Sequence, residues 1–265
     1  MFVVNDYATA VILCIVTMLC WGSWGNTQKL AGRTWRYELF YWDYVVGMLL
    51  FSLILCFTLG SIGSEGRPFL EDLAQAAPKA LGSVLLGGVI FNASNILLSA
   101  SVSLAGLAVA FPLGVGLALV LGVVINYLGA PKGDPVILFL GVALIVIAIV
   151  CNGIASGRVR KEPGSSAQNR KGILLAVLAG VLMSFFYRFV AASMDLDNFV
   201  TPAAGKMTPY SAMVVFAVGI FLSTFIFNSI AMKHPVSGTP VSISAYFKGG
   251  FPIHLVGVLG GVIWG

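Results

Sequence analysis

Charge is what this chain has least of: Lys, Arg, Asp and Glu together make up 9% of 265 residues, against 58% hydrophobic residues. Soluble domains carry a charged share of roughly 25%. A globule of this size would have too little polar surface to face water, which excludes a soluble fold and makes lipid the solvent. Histidine is nearly absent, with only His234 and His254, and the four cysteines (Cys14, Cys20, Cys56 and Cys151) fall inside apolar runs without metal-ligand spacing. No Cys/His/carboxylate cluster, Walker-type glycine loop or nucleophile elbow is present. A catalytic metal site, a cofactor and an enzyme are therefore not expected. No secretory leader is read either, because Met1 to Tyr7 holds Asp6 and no basic residue.

Apolar runs near the ~20 residues that cross a bilayer are what the chain has in abundance. They lie at about Ala8 to Gln28, Leu39 to Gly60, Ala80 to Ala100, Leu104 to Leu128, Val136 to Gly157, Gly172 to Ala192 and Tyr210 to Met232, and an eighth begins near Phe251. The basic residues sort between the intervening loops. Lys29, Arg33, Arg36, Arg158, Arg160, Lys161, Arg170, Lys171, Lys233 and Lys248 follow the odd-numbered spans, whereas Arg67, Lys79, Lys132 and Lys206 lie on the other side. By the positive-inside preference the N-terminus is expected outside and loop 158–171 in the cytoplasm, in the cell (inner) membrane. The net charge of +5 thus reports orientation, and no nucleic-acid partner is implied.

The stretch 156–172, SGRVRKEPGSSAQNRKG, is the one linker-like segment. Before it Leu86 to Phe91 reads LGGVIF, and 173 positions later Leu259 to Trp264 reads LGGVIW. Five spans before a second set invert the second set's orientation, as in the inverted repeats of secondary transporters. The expected fold is an all-α integral membrane protein with an inverted 5+5 repeat: 1–157 a first five-helix repeat, 158–171 a cytoplasmic linker, 172–265 a second repeat. At that offset the second set would end about residue 330, so the chain is expected to be truncated within its eighth helix.

Polar groups inside spans are costly and face a protein interior or a cavity. Gly88, Asn92, Asn95 and Ser99 share one helical face, which fits either a solute path or interhelical packing. Trp21 and Trp24 fit either stacking on solute or a membrane boundary. Asp43 fits a proton-coupling carboxylate or a side chain reaching for headgroups, and Arg188 an anion clamp, a snorkelling cation or a partner for Asp195 or Asp197. Pro112, with Gly114 and Gly116, is expected to loosen the fourth span. The candidate substrate-binding set is Trp21, Trp24, Asn92, Asn95 and Ser99.

The five-span set, the tight connection SASVSLAG and Pro112 resemble the drug/metabolite transporter superfamily. Within it, MFVV at the start, GSW at Gly22 to Trp24, YWDY at Tyr41 to Tyr44, TLGSIG at Thr58 to Gly63, the glycine pair with Asn95, and NY at Asn126 and Tyr127 are similar to the ureide permeases and the related glucose/ribose porter and rhamnose-transporter groups. The likeness covers most of 1–157. It implies a ten-helix permease moving a small polar solute with protons, and gives Trp24 and Asp43 a cavity-lining role. The short 156–172 segment departs from the long central loop of plant ureide permeases. That departure shifts the expectation to uptake of a sugar or nucleoside by proton symport, with a ureide or nucleobase permease as the alternative. An efflux permease and a non-transporting receptor are the rivals. The driving force would be a proton or sodium gradient; oligomeric state is not legible.

Overall fold

The computed structural model describes residues 1–32, 34–131, 133–159 and 166–265. Arg33, Lys132, Arg160 and Lys161, four of the residues that set the charge asymmetry, lie outside the described residues, as does the middle of the 158–171 linker. Ten α-helices follow one another among the described residues: α1 Tyr7–Ala31, α2 Tyr37–Phe57, α3 Phe69–Gln75, α4 Pro78–Ala105, α5 Leu107–Gly129, α6 Pro135–Val159, α7 Ser166–Ser193, α8 Pro209–Lys233, α9 Ile243–Tyr246 and α10 Phe251–Trp264. Seven are long and apolar enough to cross a membrane. Each matches a run read from hydropathy to within a few residues. The short α3 and α9 were invisible to that reading, because neither holds enough apolar residues to form a span.

Local chemistry fixes the helix ends. Asp6 caps α1 by accepting from Thr9 N, and Thr208 caps α8 from Ser211 N. Pro78 and Pro209 open their helices where no N–H is needed. Gly106 alone joins α4 to α5 with φ of +78°, a left-handed conformation that side chains resist. The fourth span therefore starts three residues later than expected, at Leu107. Pro112 lies inside α5 without ending it.

The helices alternate in direction, so the end of α1, the start of α2, the end of α4, the start of α5 and the end of α8 share one face with Lys29, Arg36, Lys171 and Lys233. This is called the basic end below. In the packed centre α4 lies between α7 and α8, α2 between α8 and α10, and α1 against α10. The outward side chains are apolar: Val136, Ile137, Leu140, Leu144 and Ile147 of α6 are all exposed. A water-soluble protein would not tolerate that surface, and the chain is a multi-pass helical membrane protein.

Glycine sets the closest approaches. A Cβ on Gly88 of α4 would overlap the Phe216 carbonyl of α8, and one on Gly219 of α8 would overlap Leu85 O of α4. The same packing recurs where a Cβ on Gly261 of α10 would overlap Tyr44 O of α2, and one on Gly47 of α2 would overlap Val258 O. Gly88 and Gly261 occupy the same place in LGGVIF and LGGVIW, and the terminal rings of those motifs, Phe91 and Trp264, meet at 4.6 Å. Small residues at such crossings let membrane helices gain dispersion contacts where lipid offers no hydrophobic drive.

Opposite the basic end, a tie joins α3 to the α7–α8 connection. Buried Asp72 accepts from Arg67 Nε at 2.9 Å and from Thr208 N at 2.8 Å; Arg67 and Gln75 both donate to Lys206 O, and Gln75 Oε1 accepts from Gly205 N. Gly261→Val should lower stability by about 1–3 kcal/mol through overpacking, read as a fall of about 5 °C in the melting temperature of detergent-solubilised protein. Gly82→Val, whose Cβ would meet open space, should melt like wild type.

Candidate functional site

The face of α4 read from sequence turns inward along its length. Asn92, Asn95 and Ser99 are each at most 1% exposed. Asn92 is saturated: its Oδ1 accepts from Tyr41 Oη at 2.8 Å, while Nδ2 faces Ser223 Oγ at 2.8 Å, Thr224 Oγ1 at 3.0 Å and Ile220 O at 3.1 Å. One amide thereby joins α2, α4 and α8. Asn95 donates through Nδ2 to Tyr41 Oη and Tyr44 Oη at 3.2 and 3.3 Å, leaving its Oδ1 without a partner. One turn on, Gln28 of α1 donates to Ser99 O at 2.8 Å; Gln28 Oε1 and Ser99 Oγ are also buried and unpartnered. Three unmet polar atoms on one side of the bundle are unusual in a native interior.

A cavity of about 890 Å³ opens at the basic end, lined by Gln28, Lys29, Trp35, Arg36, Glu38 and Ser103 among others. Gln28 belongs both to that lining and to the buried polar face. Glu38, 1% exposed, is held by Arg36 at 2.6 Å, and Arg36 also donates to Ser237 O at 3.3 Å and to Thr239 O. A buried carboxylate without such a partner would be strongly unfavourable.

Asp43 is enclosed within the bundle. It is 3% exposed, with His254 Nδ1 2.9 Å from Oδ2 and Tyr246 Oη donating to Oδ1. Tyr246, in the short α9, has its hydroxyl pKa raised well above the usual phenol range, first by burial and then by the hydrogen bond and charge of Asp43. It therefore stays a donor.

The two tryptophans, given the same two readings from sequence, pack differently. Trp24 is 2% exposed and packs on Tyr44 at 4.9 Å and Phe111 at 5.5 Å, so it is enclosed within the bundle next to the polar face. Trp21 stacks on Trp264 at 5.7 Å, which places it against α10. Arg188 lies away from these groups, lining a separate cavity of about 480 Å³ with Asn126, Tyr127 and Gly129. Asp195 accepts the backbone N–H groups of Asp197, Asn198 and Ala203. Residues missed from sequence are Glu38, Tyr41, Tyr44, Tyr246, Ser223, Thr224 and the role of His254, whereas Gln28 shares a face of the first span with Met18, Trp21 and Gly25. A signal existed for some of them: Tyr41 and Tyr44 sit three apart on one helical face, and His254 is the one histidine at a span.

The packing and outer surface define a multi-pass membrane protein with a polar, partly unsatisfied interior. Comparison with known proteins narrows the class. The family model for ureide permease matches residues 40–162, from α2 through α6. The chain is similar to Ureide permease 2 and Ureide permease 1 of Arabidopsis thaliana, 25% and 22% identical over 91% and 94% of this chain and 76% and 77% of theirs. It is also similar to Probable ureide permease A3 of Vigna unguiculata, 22% identical over 92% of this chain and 82% of the relative. By sequence the chain is similar to ureide permeases, whose names are those of transporters. No solved structure matches. The preference for a sugar or nucleoside, drawn from the short central segment, is not what these matches favour; the ureide-permease alternative fits them better.

Asn92→Ala should strip partners from Tyr41, Ser223 and Thr224 and destabilise the solubilised protein by about 1–3 kcal/mol. Ser99→Ala, which removes a hydroxyl without a partner, should stay within about 0.5 kcal/mol of wild type. Equal losses in thermal-shift measurements would contradict this division.

Proposed function

We propose that this chain is a permease for a small ureide-like solute, working by alternating access and driven by a proton gradient. The observation that carries the solute reading is the set of buried, unpartnered atoms Asn95 Oδ1, Gln28 Oε1 and Ser99 Oγ, of which Gln28 also lines the cavity at the basic end. Two amide oxygens call for N–H donors, and the Ser99 hydroxyl can donate to a carbonyl. A ureide offers both in one compact molecule. The relatives' names support the same reading.

In this proposal Asn95, Ser99 and Gln28 contact solute, while Asn92 and Trp24 hold the site in shape. Trp21 acts through Trp264, and Asp43 belongs to coupling. Arg188 is a clamp only for whatever enters its own cavity. The inverted 5+5 repeat is part of the proposal, as is the wider kinship with the drug/metabolite transporter superfamily. It is supported by the opposed directions of α4 and α10 and by the paired crossings at Gly88–Gly219 and Gly261–Gly47. With the basic end in the cytoplasm and the N-terminus outside, the cavity faces inward and the Asp72 tie closes the outer side.

Proteoliposomes containing the chain should take up labelled allantoin, a ring ureide, and unlabelled allantoin should compete better than ribose or uridine. Ser99→Ala and Gln28→Ala should raise the half-saturating concentration about tenfold, the equivalent of one hydrogen bond to solute. Uptake of ribose or uridine without allantoin would sink the ureide reading.

A further inference from the structure

Three groups far apart in sequence meet at the junction of α2, α9 and α10. Asp43 and His254 are 211 positions apart, and Asp43 and Tyr246 203. The Asp43 side chain is 4% exposed and that of His254 23%. One ring nitrogen, His254 Nδ1, lies within 3.0 Å of both carboxylate oxygens. The Tyr246 ring stands edge-on to the imidazole at 4.7 Å, and Trp35, which also lines the large cavity, at 5.5 Å. Backbone is fitted closely around the cluster: a Cβ on Gly257 would strike Asp43, and one on Gly249 would lie 2.6 Å from His254 Nε2.

The neighbouring charged groups are already assigned elsewhere or sit apart. Glu38, on α2, is paired with Arg36. Lys29 of α1 lines the cavity, Lys233 closes α8, and Lys248 precedes α10. Among the described residues, the cationic partner within reach of Asp43 is His254.

We propose that Asp43 and His254 together form the proton-binding site of the transport cycle, with Tyr246 as the positioning residue that holds the carboxylate toward the imidazole. This rests on the proton-driven reading above and adds a second titratable group to it. With the site empty, neutral His254 donates Nδ1–H to the Asp43 carboxylate. A proton then adds to the lone pair of Nε2, giving an imidazolium–carboxylate pair, and leaves from the same nitrogen; no other bond forms or breaks. Imidazole is the side chain suited to this exchange near neutral pH. The carboxylate belongs to α2 and the imidazole to α10, so the proton changes how strongly two helices hold each other: an ion pair when bound, an ion–dipole hydrogen bond when released. A tie of that kind couples proton occupancy to helix movement.

The test uses the full chain in liposomes with labelled allantoin and two readouts: accumulation under an acid-outside pH gradient, and exchange against preloaded allantoin without one. His254→Asn keeps an amide N–H near Asp43 yet has no basic nitrogen to take up a proton. It should still exchange, while its accumulation falls to the gradient-free level; Asp43→Asn should do the same, and Tyr246→Phe should accumulate less but keep its gradient dependence. Wild-type accumulation in His254→Asn would overturn the proposal. So would equal loss of exchange and accumulation, which marks a purely structural tie, and so would wild-type accumulation that ignores the pH gradient. Failure of wild type in both readouts would instead bring down the permease reading and this proposal with it.

Discussion

The amide of Asn92 is the contact on which the centre of the bundle depends. Surrounded by lipid, a polar side chain has no water to fall back on, so it must find its partners within the protein or remain a liability. Asn92 finds them on two other helices at once: Tyr41 on α2 and the Ser223–Thr224 pair on α8. That arrangement fixes the rotation of α4, because turning the helix would break every one of these bonds. With α4 so oriented, Asn95 and Ser99 fall on the side toward α1 and Gln28. The saturated residue and the unsatisfied ones are therefore parts of one design, the first setting the aim of the others.

The two ends of the molecule are built from different materials. The end with Asp72 is knitted by a carboxylate, a guanidinium and an amide between α3 and the α7–α8 connection. The basic end has a large cavity, with its charged residues arranged around the rim and the Asp43 cluster set to one side. Glycine crossings in the middle leave the helices in close backbone contact at both Gly88–Gly219 and Gly261–Gly47. Smooth surfaces at these crossings suit helices that tilt against one another, since no large side chain has to change rotamer.

Much of the fold was legible because the signal was a run of apolar residues, and seven spans emerge within a few residues of where hydropathy put them. The inward face of α4 was legible for a similar reason: its polar residues keep helical spacing in an otherwise apolar segment. Asp43 was visible as an oddity, but not its partners, since nothing local connects position 43 to 246 or 254. Glu38 was passed over because it sits at the edge of the apolar run, where a charge looks solvated until α8 is seen packing beside it through Asn228, which donates to Glu38 O. Trp24 stayed ambiguous for the opposite reason. A tryptophan near the end of a span reads as an interface residue, and only the ring of Tyr44 beside it shows that the bundle is deeper there than the sequence suggests.

The tie at Asp72 has a further property. Arg67 and Gln75 hold the carbonyl of residue 206, Gln75 receives the N–H of residue 205, and Asp72 that of residue 208. Apart from the Thr208 hydroxyl, these contacts grip main chain rather than side chains. The α7–α8 connection can thus drift in sequence over evolutionary time while its path is held, with Gly205, at φ of +81°, as the position least free to change.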